Sequence, residues 1–372
     1  MSELLTIIRD STGAERTRVF FDYLFRVSKD KGIPFSGTFE LTPRCTLNCP
    51  MCYVHLREDQ MLEKELTTGQ WIDLIDQAAE AGMMHARITG GECFLYPGFR
   101  EIFQALEDRG VFIKILTNAT LLDEETIAWL ARHPIELVQV SVYGHSPKTY
   151  KAATGNAYAF QPVDRALDML GEAGIRFEIS VTVSKALAPY VEDIYRYCQT
   201  KNPRAIKLSP NPFPARPETG RKMEDYRLSL RESVAYYRKY NELTGKTAVR
   251  PEMESGENPD EPDEDCQFSE NDNTLPEEGV LCAAGKALFC ITWDGRLVPC
   301  GAMSLSANPL QVGFQSAWES IREAATQFRY PEECIRCGVR RKCTACPAMH
   351  ERSVRNLAQC EETKELIREG LI

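Results

Sequence analysis

The sequence predicts an α/β fold: a partial, TIM-like (β/α)6 barrel followed by a small, mainly irregular, cysteine-rich module. Three observations predict it. Six strand patterns alternate with five helix patterns between Gly37 and Ser209. One phase of each strand is polar, where a sheet buried on both faces would be apolar throughout. Eight of the 14 cysteines follow residue 280, in a stretch with little periodicity.

The elements follow in order. Arg16 to Lys29 places Val19, Phe20, Tyr23, Leu24 and Val27 at helical spacing, which predicts a short helical preface over 1–35. It is too short for a separate peptide-binding domain. Strands are predicted at Thr38–Thr42, His85–Thr89, Phe112–Thr117, Leu137–Tyr143, Ile175–Val183 and Ala205–Ser209. Helices are predicted between them at Thr67–Ala81, Tyr96–Arg109, Asp123–His133, Gln161–Ala173 and Tyr190–Thr200. In the strands Thr38, Glu40, His85, Arg87, Lys114, Gln139, Ser141, Glu178, Ser180 and Lys207 fall in one phase, with apolar residues such as Phe177, Ile179 and Val181 in the other. One face therefore packs on helices and the other lines a polar lumen, with chemistry gathered at the C-terminal strand ends. A Pro-rich stretch after Ser209 and a helix over about Glu224–Thr244 complete a domain spanning 36–250. A linker or loop spans 251–279, and a cysteine-rich domain spans 280–372.

Composition narrows the function. At 372 residues the chain exceeds one typical domain, and its formal net charge is −10. The acidity is local: Glu252 to Glu278 holds twelve acids and no base, and the rest is nearly balanced. No basic surface for nucleic acid is indicated, and no apolar run reaches the ~20 residues of a membrane helix. The first ten residues carry no signal pattern, so the expected compartment is the cytoplasm. There, many cysteines point to metal or redox chemistry rather than disulfides.

The loop after the first strand reads Cys45-Thr46-Leu47-Asn48-Cys49-Pro50-Met51-Cys52. Thiolates ligate iron–sulfur clusters and zinc. A structural zinc site takes four ligands, and beyond His55 no fourth stands nearby. Three cysteines on a four-iron cluster leave one iron open. The second strand ends in Thr89-Gly90-Gly91-Glu92, where glycines permit close backbone approach and a carboxylate can meet an ammonium. Taken together, the two motifs resemble the radical S-adenosylmethionine (radical SAM) superfamily. The resemblance implies a [4Fe–4S] cluster on Cys45, Cys49 and Cys52 whose open iron binds S-adenosylmethionine. It also implies that Gly90, Gly91 and Glu92 hold the methionine amino group and that Met51 lies near the adenine. Asn118, Ser141 and Thr182 would lie near the cofactor's carboxylate and ribose. Reductive cleavage of the cofactor would give a 5′-deoxyadenosyl radical that takes hydrogen from substrate, with flavodoxin or ferredoxin as reductant.

The tail carries Cys282, Cys290, Gly295-x4-Cys300, then Cys334-x2-Cys337-x5-Cys343-x2-Cys346, and Cys360. Zinc is a physical alternative for such a run. The pattern resembles the SPASM extension of sulfatase maturases and peptide-maturing enzymes. That implies two auxiliary [4Fe–4S] clusters, three in all: a nearer one on Cys282, Cys290, Cys300 and Cys346, and an outer one on Cys334, Cys337, Cys343 and Cys360. Two residues separate Cys343 from Cys346 where the family has three.

Three cysteines remain. Cys198 shares a helix stripe with Val191 and Ile194, and Cys266 lies in the acidic stretch. Cys93 stands where the family has proline. It is a candidate hydrogen donor, and small apolar packing is the favoured role. Sulfatase maturases carry aspartate after the cysteine matching Cys300; here it is Gly301. The expected function is therefore an oxidative crosslink (thioether, C–C or C–O) in a ribosomal peptide, recognised through a leader. The alternatives are a peptide epimerase, a small-molecule dehydrogenase, and a non-catalytic iron–sulfur electron-transfer protein.

Overall fold

A computed structural model describes residues 13–61, 64–210, 215–222, 225–245, 280, 282–337, 339 and 357–371. The acidic stretch, Cys266, Cys343 and Cys346 lie outside the described residues.

The chain begins with α1 (Gly13–Lys31), β1 (Ser36–Glu40), α2 (Thr68–Glu80), β2 (His85–Thr89), α3 (Phe99–Asp108) and β3 (Phe112–Thr117). It continues through α4 (Glu124–Leu130), β4 (Ile135–Ser141), α5 (Pro147–Thr154), α6 (Phe160–Glu172), β5 (Phe177–Thr182), α7 (Val191–Thr200) and β6 (Ile206–Ser209). The last part comprises α8 (Leu230–Thr244), β7 (Leu288–Ile291), β8 (Leu297–Val298), α9 (Pro309–Val312), α10 (Phe314–Thr326), α11 (Glu332–Ile335) and α12 (Leu357–Arg368). Local chemistry sets many boundaries. Thr67 caps α2 in a reciprocal capping box with Gln70, Asp123 caps α4, and Ser146 with Pro147 opens α5.

One sheet runs β6-β5-β4-β3-β2-β1-β7-β8, parallel except for the β7–β8 hairpin. Strands β1 to β6 lie in sequence order. Each crossover moves one strand along in the same direction, so the helices share one face. That is barrel winding, in contrast to the reversal of a doubly wound sheet. The sheet does not close, since β6 and β8 are its two edges.

The predicted alternation holds. Phe39, Ile88, Ile113, Ile115, Val138, Val140, Ile179 and Val181 are buried in one large core with Trp71, Leu74, Phe103 and Leu167 from the helices. The opposite face carries Thr38, Arg87, Lys114, Gln139, Ser141, Ser180 and Lys207. Lys114 (3.0 Å) and Lys207 (3.1 Å) both reach Oε1 of the fully buried Glu178. Burial raises the Glu178 carboxyl, but the two lysines outweigh it and hold it below its ordinary value.

Two features differ from expectation. The buried face of α1 centres on Phe25 and Ser28, while Phe20 is 45% exposed. Its target sets that phase: Phe21 meets His85 and Phe112, and Phe25 meets Phe35, all at strand starts. Helix α1 thus packs across the N-terminal end of the barrel. The tail is also more regular than its pattern predicts. Strand β7 pairs with β1, and Phe289 on it packs against Phe314 and Trp318 of α10. The sequence shows this poorly because β7 is four residues long and its partner lies some 250 positions earlier.

Candidate functional site

The site lies at the C-terminal ends of β1 to β4. Beyond β1 the chain stays attached to the end of β2: Leu41 donates to the Thr89 carbonyl (2.9 Å), Gly91 to that of Thr42 (2.6 Å) and Glu92 to that of Arg44 (2.8 Å). The two segments run so close that a Cβ at Gly90 would stand 2.6 Å from the Thr42 carbonyl oxygen. One at Gly91 would stand 2.2 Å from that of Arg44. The glycines are there because backbone occupies the space of any side chain.

This contact positions the cysteine loop. Cys49 is buried, and Cys45 and Cys52 are half-buried. Each sulfur accepts a hydrogen bond. Cys45 Sγ takes the Leu47 N–H (3.4 Å) and Asn118 Nδ2 (3.3 Å), and Cys52 Sγ takes the His55 N–H (3.3 Å). Cys49 takes the hydroxyl of Tyr143. Burial pushes the Cys45 thiol up to about 12 and raises Cys49 as well. Bare, these two thiols keep their protons, and a bound cation would ionise them. Among the described residues, no three His, Cys, Asp or Glu side chains converge on a point suited to one metal ion. A four-iron cluster asks for a different arrangement, in which each thiolate binds its own iron and the sulfurs stand apart. Three sulfurs supplied with N–H and O–H donors suit such a cluster.

Glu92 is fully buried, and its oxygens are engaged. Oε1 accepts from the Thr117 hydroxyl (2.7 Å) and the Phe94 N–H (3.3 Å), and Oε2 from the Asn118 N–H (2.8 Å). Burial raises its carboxyl despite these donors. The side chain braces the end of β2 to the end of β3. Asn118 then reaches Thr46 (3.1 Å) as well as Cys45, and Ala119 beyond it sits at φ +60°, a left-handed conformation that costs a non-glycine residue about 1 kcal/mol.

The other expected site residues are placed as follows. Met51, within the cysteine loop, is buried in the large core. Ser141 ends β4 and bonds Tyr143, and Thr182 ends β5 opposite Ser209. Cys93 is fully buried, its thiol directed at Glu92 (3.7 Å) and the Leu116 carbonyl (3.6 Å), and burial holds it well above a free thiol. Cys198 is buried in α7.

In the tail, Cys290 on β7 is buried, and the hairpin brings Cys300 beside it. Cys282 and Cys300 flank one small core with Val280, Ala302 and Met303. Cys334 packs with Tyr330, and Cys337 and Cys360 both lie near Lys364. The structure thus brings Cys282, Cys290 and Cys300 into one neighbourhood and Cys337 and Cys360 into another.

Sequence reading missed Tyr143, Thr117 and Arg221. Tyr143 carried a faint signal as a polar residue in lumen phase at a strand end. Arg221 carried none: it holds Asn48 Oδ1 (2.8 Å) and the Cys49 carbonyl across 172 positions of chain.

Comparison with known proteins fits this geometry. The family model for the Radical SAM superfamily matches residues 39–198. The AdoMet-dependent heme synthase of Methanosarcina barkeri is 26% identical over 324 residues, 83% of this chain and 90% of that protein. The sporulation killing factor maturation protein SkfB of Bacillus subtilis is 27% identical over 171 residues, 46% of this chain and 41% of that one. In fold, the chain resembles Streptococcus suis SuiB bound to S-adenosylmethionine, with a TM-score of 0.64 at 19% identity, covering 91% of this chain and 82% of SuiB.

Proposed function

We propose that this chain, whose residues 39–198 are a radical SAM domain, removes hydrogen from a ribosomal peptide and installs an oxidative crosslink. The observation that carries the reading is the loop itself. Three cysteine sulfurs, each held by a donor, stand at the mouth of an open parallel barrel and are fixed to Gly90-Gly91-Glu92.

Cys45, Cys49 and Cys52 would hold a [4Fe–4S] cluster, leaving one iron for S-adenosylmethionine. When bound and reduced, that pair supplies one-electron cleavage of the cofactor and abstraction of hydrogen from substrate. The protein's own residues do the rest. The Gly90–Gly91 backbone, braced by Glu92, offers its edge to the methionine amino group. Asn118, Ser141 and Thr182 lie at successive strand ends, where the cofactor's carboxylate and ribose would be oriented. Met51 gives the adenine an apolar neighbour. Helix α1 closes the far end of the lumen, which leaves the C-terminal end for substrate. The tail cysteines would hold two auxiliary clusters that accept the electron a substrate radical must lose. The likeness to SkfB supports a peptide substrate, and flavodoxin or ferredoxin fits as reductant.

A second reading is favoured by one observation. The likeness to the heme synthase of M. barkeri spans 83% of this chain, against 46% for SkfB. On that reading the substrate is a small molecule such as a tetrapyrrole. Mass spectrometry distinguishes them. Anaerobic enzyme with S-adenosylmethionine and dithionite is offered a peptide encoded beside its gene, and separately a haem precursor. Loss of hydrogen mass from the peptide with a new internal bond supports the first. An unchanged peptide and a converted precursor support the second.

A further inference from the structure

Buried groups that the proposed chemistry leaves unused meet where β1, the cysteine loop and the β7–β8 hairpin join. Arg216 is the centre. Its Nη1 and Nη2 each donate to Glu40 at 2.7 Å, and its Nε donates to the Gly301 carbonyl at 2.9 Å. Its backbone N–H donates to the Tyr53 carbonyl at 3.2 Å, and its guanidinium lies 5.7 Å from the centre of the Tyr53 ring. Arg216 and Glu40 are 5% and 1% exposed.

The sheet register explains why this pair matters to the tail. Cys290 is paired with Thr38 across β7 and β1. Glu40, two residues further along β1, projects from the same face. The Cys290 thiol is in hydrogen-bonding contact with the Glu40 carboxylate, and Cys300 is close enough to share its field. A Cβ at Gly301 would lie 3.1 Å from Glu40 Oε1 and 3.2 Å from Arg216 Nη2. The ion pair therefore fills the space that a side chain after Cys300 would take. A buried carboxylate beside a cluster ligand is costly unless it is paired, and among the described residues Arg216 is the cation bonded to Glu40.

We propose that Arg216 is a positioning residue for the C-terminal cysteine site: it holds Glu40 and the Gly301 carbonyl together, so that no uncompensated buried carboxylate faces the cluster. The inference rests on the reading that Cys290 and Cys300 ligate an iron–sulfur cluster. It makes the pair act oppositely on that cluster. A buried cation favours its reduced form, and a buried carboxylate disfavours it.

The test is iron content and EPR-monitored redox titration of anaerobically reconstituted protein, for wild type, R216M, E40Q, R216M/E40M and C290A. R216M is expected to lose one cluster's complement, about four irons per chain, or to keep it at a lowered potential. E40Q keeps its iron and raises the potential of one cluster. R216M/E40M regains the iron, because an apolar pair leaves no orphaned charge. Wild-type iron and potentials in R216M would overturn the proposal. So would an R216M/E40M protein as iron-poor as R216M, which would make Arg216 a clasp of the fold alone. If R216M does not fold, an unchanged potential in E40Q overturns it. Wild-type iron content in C290A would instead remove the C-terminal cluster itself, and this inference with it.

Discussion

Glu92 ties two strand ends together before any ligand is bound. Its two oxygens take three N–H and O–H donors, from Thr117, Phe94 and Asn118, besides the Cys93 thiol, and each is buried or half-buried. Glutamine keeps the shape but turns an N–H toward one of them. Glu92→Gln should cost about 1–3 kcal/mol in a urea melt and weaken S-adenosylmethionine binding by the same disturbance of Asn118. Cys93 makes the opposite case. It is fully buried, so Cys93→Ala should keep turnover within a few-fold and cost about 1 kcal/mol. A variant that cleaves cofactor but no longer releases product would assign it the donor role. At this scale the cysteine loop and the glycine pair were legible, because their chemistry is written in short spacings. Glu40 and Arg216 were not: they stand 176 positions apart, and only the pairing of β1 with β7 gives them a common neighbour.

Among the elements, β2 and β3 carry the bounds their patterns predict, while β1, β4 and β5 are shifted or trimmed by about two residues at an end. Alternation is a strong signal inside a strand, but the ends are decided by where neighbours stop pairing. The phase of α1 failed to read because both of its faces are partly apolar, and the choice belongs to the strand starts it covers. The β1–β7 contact is equally tertiary. A Cβ at Gly37 would stand 2.4 Å from the Phe289 ring and 2.9 Å from the Met83 sulfur. Gly37→Val should therefore push β7 off the sheet edge, costing about 1–3 kcal/mol and loosening the tail cysteines with it. Thermal melts and iron content after reconstitution both read this. Strands β3, β5 and β6 are joined by Lys114, Glu178 and Lys207. Because those lysines hold the Glu178 carboxyl below its ordinary value, its contribution is complete above the unfolded value near pH ~4.3 and is lost as pH falls through the lowered native value. Glu178→Gln should cost about 3 kcal/mol at neutral pH, and the gap to wild type should close in acid. A gap that is constant from pH 7 down to strongly acidic conditions would contradict the assignment.

At the scale of the molecule, the polar phase of the strands was the informative signal. It indicated a lumen before any topology was known, and the singly wound, unclosed sheet supplies one. The lumen is capped by α1 at one end and carries the cysteine loop at the other, and β7 runs from the tail straight into the same sheet. The arrangement brings a tail cysteine, Cys290, onto the lumen face two residues along from Glu40, within the barrel's own hydrogen-bonding frame. This arrangement was unreadable from sequence because it depends on a four-residue strand pairing with β1. The most direct test of the central claim is 5′-deoxyadenosine formed from S-adenosylmethionine and dithionite, with candidate substrate present. It should be compared between fully reconstituted wild type and a C45A/C49A/C52A variant. The account predicts formation by the wild type and none by the variant. Equal formation by both, or none by a loaded wild type offered both peptide and haem precursor, would contradict it.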